Sequence, residues 1–163
     1  MMILHPENLT TESFRKLGEF KNLYTAGDEY AGNKVEEGFF PDLLRLNNNG
    51  NDVSVSITRV FGKKKEISTA ELHTNCCEGL LPLDGDVYIY AAPAFWFLKF
   101  EETKLFYVPK GTLVKLKAGV IHGSPISVTG EPVNVLILLP ERTYANDCKF
   151  MELKESQQMQ IEE

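Results

Sequence analysis

The chain has 163 residues and a formal net charge of −6, with 43% hydrophobic and 25% charged residues. This composition is that of a soluble globular protein and excludes the fibrous and disordered classes, and the length predicts a single domain over residues 1–163. Because the longest basic run, Lys63–Lys65, is too short to follow a phosphate backbone, nucleic acid is not an expected partner.

The amino terminus lacks the basic flank and apolar segment of a signal peptide, and no run of 18 apolar residues occurs anywhere in the sequence. We therefore expect a cytoplasmic protein without a membrane partner. The chain has three cysteines, Cys76, Cys77 and Cys148. Because their number is odd and the first two are adjacent, we predict free thiols in a reducing compartment.

The first predicted element is a short helix near the amino terminus. Thr10 or Thr11 can cap it, Phe14 and Leu17 share its apolar face, and Gly18 supplies a left-handed end. We expect this helix to pack on the outside of the fold. Residues 25–52 are rich in Gly and Asn, which predicts loops with at most one edge strand.

Strands follow from Val53 onwards. Val53, Val55 and Ile57 alternate with hydroxyl-bearing residues, which predicts a half-buried strand with Arg59 on its apolar face. The spacing of the later segments, with Gly or Pro between them, predicts an all-β barrel or sandwich. The tail at 151–163 is polar, and a frayed helix or disorder is expected there. The further predicted strands are Asp86–Ala91, Phe95–Phe100, Leu105–Val108, Leu113–Leu116, Ile126–Val128 and Val133–Leu139.

One set of residues carries potential chemistry. Glu71 and His73 are two apart, so on a strand both side chains leave the same face. Glu78 follows after four residues that can turn the chain, and His122 comes three residues after Gly119. Imidazole and carboxylate groups together suit a divalent metal, but the same four side chains can also form a metal-free hydrogen-bonded cluster.

These residues resemble the cupin superfamily, whose motifs read G-x5-H-x-H-x3-4-E-x6-G and G-x5-P-x-G-x2-H-x3-N. The resemblance implies an all-β fold, a cupin double-stranded β-helix or jelly-roll barrel with a short N-terminal helix. It also implies that the motif side chains lie inside the barrel around Ni, Mn, Fe or Zn. Glu71 stands at the position of the first His, and the remaining matches are His73, Glu78, Gly85, Gly111, Gly119 and His122.

Most of the chain also resembles the ureidoglycolate lyase family of cupins. This resemblance implies elimination of urea from ureidoglycolate to give glyoxylate, and it implies a homodimer. The apolar segment Phe95–Phe100 is a second reason to expect one. The fragments that carry the resemblance are Phe14–Gly18, Ser56–Arg59, Glu71–His73, Leu81–Val87, Val108–Gly111, Gly119–His122, Arg142 and Cys148.

The site hypothesis assigns the metal to Glu71, His73, Glu78 and His122, and the general base to Glu78 or His122. Arg59 would clamp a small carboxylate substrate. Arg142 is a second candidate for that role, or else a surface arginine. Two alternatives stay open: a metal-dependent cupin acting on another small hydroxy acid or sugar, and a non-catalytic cupin that binds a small ligand.

Overall fold

The computed structural model of the protein describes residues 1–27, 38–63, 65–93 and 99–163. Most of the regular structure in these ranges is β-strand, and its helices are single turns. Two larger sheets enclose an apolar core, and a small third sheet packs on the outside of one of them.

The first of the larger sheets is antiparallel throughout. We call it the five-stranded sheet, and in spatial order it contains β3 (Gly18–Asn22), β10 (Thr112–Leu116), β7 (Glu78–Pro82), β13 (Val133–Pro140) and β4 (Val53–Val60).

The second sheet is antiparallel except for its last pair, which is parallel. We call it the seven-stranded sheet. Its spatial order is β14 (Cys148–Glu152), β6 (Thr69–His73), β11 (Ile121–His122), β8 (Val87–Ala92), β9 (Lys104–Val108) and β2 (Pro6–Asn8), with β12 (Ile126–Ser127) also paired to β8.

The chain crosses repeatedly between the two sheets, from β6 to β7, from β9 to β10 and from β12 to β13. Two facing antiparallel sheets with these crossings form a jelly roll of the cupin type. The predicted all-β fold class is confirmed, and the predicted strands from Val53 to Leu139 that fall within the described residues are present with shifts of one or two residues at their ends.

Strand β8 shows how the two cores are separated. Val87, Ile89 and Ala91 point between the larger sheets, into a cluster that includes Phe106 and Val135. The alternate residues belong to a second cluster on the outside of the seven-stranded sheet. Because successive side chains of a strand point to opposite faces, a strand buried on both faces lacks polar alternation.

The third sheet covers that second cluster and corrects the prediction for the tail. Residues 151–163 are neither a frayed helix nor disordered, since Leu153, Met159 and Ile161 are buried there. A 3-10 turn, Glu155–Gln157, leads into the last strand. In spatial order the sheet contains β1 (Met2–Leu4), β15 (Met159–Ile161) and β5 (Glu66–Ile67).

The amino-terminal helix is shorter than predicted. Helix α1 (Thr11–Phe14) is capped by Thr10, whose hydroxyl accepts a hydrogen bond from the Ser13 amide at 3.0 Å. Gly18 does not end it in a left-handed conformation but begins β3. There a Cβ would lie 1.7 Å from the carbonyl oxygen of Lys115, so glycine is required by a close approach of two backbones.

Strand β4 is present as predicted, but its apolar face points outward. Val53, Val55 and Ile57 are exposed. The hydroxyl-bearing residues between them are half-buried and lie beside core residues of β13 on the inner face of the sheet. Arg59 shares the outer face and donates a hydrogen bond to Asn134 Oδ1 at 2.8 Å. Arg59 therefore lies on the apolar face of the strand as predicted, but this face is the exposed one.

The predicted strand Phe95–Phe100 lies mostly outside the described residues, as does Lys64 of the basic run. Phe100 itself begins a 3-10 turn, Phe100–Glu102. None of the helices in the described ranges is both long enough and apolar enough to span a lipid bilayer.

Candidate metal centre

Strands of both larger sheets meet at one end of the fold and bring three potential ligands together. His73 ends β6 and His122 ends β11, and these strands are neighbours in the seven-stranded sheet. Glu78 begins β7 of the five-stranded sheet, after the turn 74–77. The three side chains are buried, with exposed fractions of 2% for each histidine and 6% for Glu78.

The three side chains converge on one carboxylate oxygen. Glu78 Oε2 lies 3.1 Å from His73 Nε2 and 2.7 Å from His122 Nε2. The imidazole centroids are 5.3 Å apart, and one ligand atom from each residue falls within 4.8 Å of the others. This spacing fits a single cation bound by all three groups.

The second nitrogen of each imidazole faces a backbone carbonyl. His73 Nδ1 lies 3.0 Å from the Asp147 carbonyl oxygen, and His122 Nδ1 lies 2.9 Å from that of Val120. A carbonyl oxygen accepts hydrogen bonds and donates none, so both Nδ1 atoms carry the proton. In the neutral rings, both Nε2 lone pairs then point at the Glu78 carboxylate, an arrangement that requires a cation or added protons between them.

The electrostatics of the cluster also favour positive charge at its centre. Burial lowers the pKa of His73 and His122, but the Glu78 carboxylate outweighs burial and leaves both pKa values raised. Burial raises the pKa of Glu78, but the two imidazoles outweigh burial and leave its pKa lowered. Protons and metal ions therefore compete for the same lone pairs.

Glu71, the fourth predicted ligand, lies beside this group and is not one of the three converging residues. It precedes His73 by two positions on the same face of β6, a step of about 7 Å along a strand. Its Oε2 accepts a hydrogen bond from Cys148 Sγ at 3.0 Å. Burial and the Glu71 carboxylate raise the pKa of the Cys148 thiol to about 12, so the thiol remains a donor.

The two predicted substrate arginines lie on exposed surfaces of the fold. Arg59 is on the outer face of β4, as described above. Arg142 precedes helix α2 (Thr143–Asn146) in a left-handed conformation, and its side chain is 77% exposed and 3.4 Å from Glu141. Both arginines are exposed, Arg59 on an outward-facing alternation and Arg142 at a turn, and their roles as substrate clamps stay predictions.

Sequence reasoning missed the groups that orient the ligands, Asp147 and Val120. Both act through backbone carbonyls, which any residue provides, so residue type carries no signal for them. Asp147 is 74 positions from His73 and becomes its neighbour only because β14 pairs with β6. Cys76 and Cys77 are free thiols in the turn between the ligands, as expected.

Two imidazole nitrogens and one carboxylate oxygen form a borderline donor set that suits Mn, Fe, Ni or Zn. Three protein ligands also leave coordination positions open to water or substrate, as catalytic metal sites require. The residues therefore fit the divalent metal that the sequence predicts, and the donor set does not select one metal.

Comparisons with known proteins give partial structural similarities and no family. No family model matches the chain, and no curated protein matches it. Solved structures of oxalate decarboxylase from Bacillus subtilis are similar to it, among them one studied for its Mn(II) centres, with 14% identity and a TM-score of 0.45. A single-substitution variant of that enzyme gives 14% identity and a TM-score of 0.44.

The overlap with these enzymes is partial. It covers 63% of this chain and 24% of the oxalate decarboxylase chain. A further oxalate decarboxylase structure overlaps with 66% of this chain and 27% of its own, at 12% identity and a TM-score of 0.45. The chain thus spans about a quarter of the length of these proteins.

Proposed function

We propose that the protein is a metal-dependent cupin enzyme in which His73, Glu78 and His122 hold one divalent cation. The observation that carries this proposal is the fixed tautomer of both histidines. Because carbonyl oxygens take the Nδ1 protons, two Nε2 lone pairs and a carboxylate oxygen face one another in a buried space. Without a cation, such a cluster carries a large desolvation cost.

A divalent metal bound there would act as a Lewis acid towards the oxygens of a substrate. The chain itself provides a proton acceptor next to the ligands. Glu71 shares their face of β6, and its carboxylate is held by the Cys148 thiol at 3.0 Å. Because Glu78 and His122 would be engaged as metal ligands, we assign the role of general base to Glu71. Glu71 takes the place of Glu78 and His122, the two general bases expected from sequence.

For the reaction, we propose the one implied by the family resemblance, elimination of urea from ureidoglycolate. Glu71 would take the hydroxyl proton of the substrate, the electron pair would form the carbonyl of glyoxylate, and the C–N bond would break. Protonated Glu71 would then give this proton to the leaving nitrogen, and urea would depart with Glu71 again ionised. Arg59 lies on the outer face of β4, so the substrate carboxylate would be held without it.

A second candidate, a small hydroxy acid or sugar as substrate, is favoured by a row of hydroxyls on the inner face of β4. Ser54 is paired with Leu139 of β13, and the next residue, Leu138, is paired with Gly79 of β7. This register places Ser54 two strands from Glu78 on the same face, about 10 Å away. Hydroxyls at that distance suit a hydroxylated ligand that extends from the metal.

Metal content tests the centre itself. Purified wild-type protein, equilibrated with Mn, Fe, Ni or Zn and freed of excess metal, is expected to retain about one ion per chain. His122→Ala should retain far less, because it removes one of three ligands. His5→Ala is the matched control, since His5 is exposed and bonds only to a backbone oxygen. Wild-type protein that retains none of the four metals would refute the proposal.

Product analysis tests the substrate. Incubation of the metal-loaded protein with ureidoglycolate should release urea and glyoxylate in equal amounts, and His122→Ala should abolish the release. If the loaded wild type releases no urea, the lyase reaction is ruled out and hydroxy acids and sugars are the next substrates to assay. If it binds these ligands without turnover, the non-catalytic alternative is correct.

A further inference from the structure

We infer that Asp147 is a positioning residue of the metal centre, because it fixes the ring of His73 and the turn that leads from His73 to Glu78. The inference rests on the proposed metal site. Asp147 belongs to the segment between α2 and β14, outside the strands that carry the ligands. It acts on the centre through its backbone and its side chain at once.

The side chain of Asp147 binds the turn between the ligands. Its Oδ1 accepts hydrogen bonds from the Thr74 amide at 2.9 Å, the Thr74 hydroxyl at 2.6 Å and the Asn75 side-chain amide at 3.0 Å. Its Oδ2 accepts one from the Asn75 backbone amide at 2.8 Å. Oδ2 also accepts one from Cys76 Sγ at 3.5 Å. A single carboxylate thus holds the first three residues of the turn that separates His73 from Glu78.

The backbone of Asp147 binds the ligand itself. Its carbonyl oxygen lies 3.0 Å from His73 Nδ1 and therefore selects the tautomer that leaves Nε2 free for a metal. The carboxylate bonds fix where this carbonyl stands relative to β6, because Thr74 directly follows His73. Ring orientation and turn geometry consequently depend on the same residue.

The hydrogen bonds to the Asp147 carboxylate come from donors in the turn between the ligands. Burial raises the pKa of Asp147, but the hydrogen bonds from Thr74 and Asn75 outweigh burial and lower the pKa to about 2. Hydrogen bonds to a carboxylate are roughly twice as strong as neutral ones. Asp147 therefore anchors the turn more firmly than an amide or hydroxyl side chain would.

Asp86 provides a matched control because it does a similar task far from the centre. Its carboxylate accepts hydrogen bonds from the Lys110 amide at 2.9 Å and from the Tyr107 hydroxyl. Asp86 precedes β8 by one residue, whereas Ala91 near the other end of that strand pairs with His122. Asp86 and Ala91 are five positions apart along the strand, which places Asp86 about 16 Å from the metal centre.

The test compares Asp147→Asn, Asp147→Ala and Asp86→Ala with the wild type in calorimetric titrations with Zn²⁺ and Mn²⁺. Asp147→Ala keeps the carbonyl that contacts His73 but removes the carboxylate that fixes its position, and displacement of a partner that orients a metal ligand weakens metal binding by about 10- to 100-fold. We expect that loss for Asp147→Ala and a smaller one for Asp147→Asn, which keeps one acceptor oxygen. Asp86→Ala should lower the melting temperature while leaving the metal Kd within twofold of the wild type.

Two spectroscopic readouts separate positioning from general stability. In the metal-free protein, at a pH high enough for a neutral ring, nitrogen NMR of His73 should show the proton on Nδ1 in the wild type and a mixture of tautomers in Asp147→Ala. In the Co²⁺-loaded proteins, the visible absorption bands should shift for the Asp147 variants and stay unchanged for Asp86→Ala. Asp147→Asn, which is nearly isosteric, serves if Asp147→Ala does not fold.

The outcomes distinguish this inference from the proposal on which it rests. If the wild type binds no metal, the proposed centre itself is wrong. If the wild type binds metal and both Asp147 variants bind it within twofold, with unchanged His73 and Co²⁺ spectra, the positioning role is refuted. Equal losses of metal affinity in Asp86→Ala and Asp147→Ala would also refute it, because the effect would then reflect general stability.

Discussion

At the scale of single residues, the centre depends on how each imidazole divides its two nitrogens. Nδ1 of His73 and of His122 is committed to a backbone carbonyl, which leaves Nε2 for a proton or a metal. Side chains that cannot rotate away from a shared oxygen are preorganised, so metal binding costs little reorganisation. The buried carboxylate of Glu78 supplies most of the compensating negative charge.

Metal affinity should depend steeply on pH. The pKa values of His73 and His122 are raised, so protons occupy Nε2 to a higher pH than in a free imidazole. Metal binding must displace these protons, and the affinity should therefore rise with pH until both histidines are neutral and then level off. Titrations with Zn²⁺ between pH 5 and pH 8 in buffers of different ionisation enthalpy would measure the proton release, and a flat profile would contradict it.

The variant Glu71→Gln distinguishes a role of Glu71 as general base from a role as metal ligand. Because Glu71 is outside the converging group, the variant should keep its metal content, while turnover falls by about 10²- to 10⁴-fold, the usual contribution of a general base. Metal analysis and a urea assay on the same sample give both readouts. A loss of metal in this variant would instead restore the four-ligand arrangement expected from sequence.

At the scale of elements, the sequence predicts strands well but not which of their faces is buried. The period-two alternation of Val53, Val55 and Ile57 locates β4 correctly, yet the apolar residues are the exposed ones. Alternation shows that a strand has two chemically different faces; only its neighbours decide which one meets the core. Arg59 is exposed for this reason, whereas His73 and Glu78 were grouped correctly by their spacing around a turn.

The tail shows a second limit of sequence patterns. Met159 and Ile161 are two apart, which fits a strand, but a strand of three residues gives too short a pattern to stand out in a polar segment. Its partner is β1 at the opposite end of the chain, which no local pattern reveals. Tertiary pairing therefore determines the structure here.

Met159→Ala should destabilise the protein by about 2–5 kcal/mol, the usual cost of removing a buried large side chain. Met159 is 1% exposed and packs in the cluster outside the seven-stranded sheet. Urea unfolding followed by circular dichroism measures the loss. Gln160→Ala, on the half-exposed face of the same strand, should change the free energy of unfolding by less than about 0.5 kcal/mol.

At the scale of the whole molecule, the outer face of the five-stranded sheet is the surface that suits a second copy. Register places Ile57 beside Leu136 and Val55 beside Leu138, so the exposed residues of β4 continue into β13. Arg59 borders these residues and donates a hydrogen bond to Asn134 Oδ1 while keeping its positive charge. Within the described residues, β4 also ends the sheet.

The homodimer stays a prediction, and this face gives it a test. Val55→Lys should shift the protein towards monomer in light scattering coupled to size-exclusion chromatography, since a buried unpaired charge opposes association. Glu66→Gln changes the charge by the same amount on the small sheet and should leave the mass unchanged. A wild type that is monomeric at all concentrations would contradict the prediction.

The proposed ligands lie in distant parts of the chain, so they are synthesised at different times. Glu78 and His122 are 44 positions apart, and the Asp147 carbonyl follows His73 by 74. A nascent chain that has reached β7 holds two ligands but lacks the third and the group that orients the first. In the proposed centre, complete coordination would therefore follow the synthesis of β11, and the carbonyl that orients His73 would be added later still.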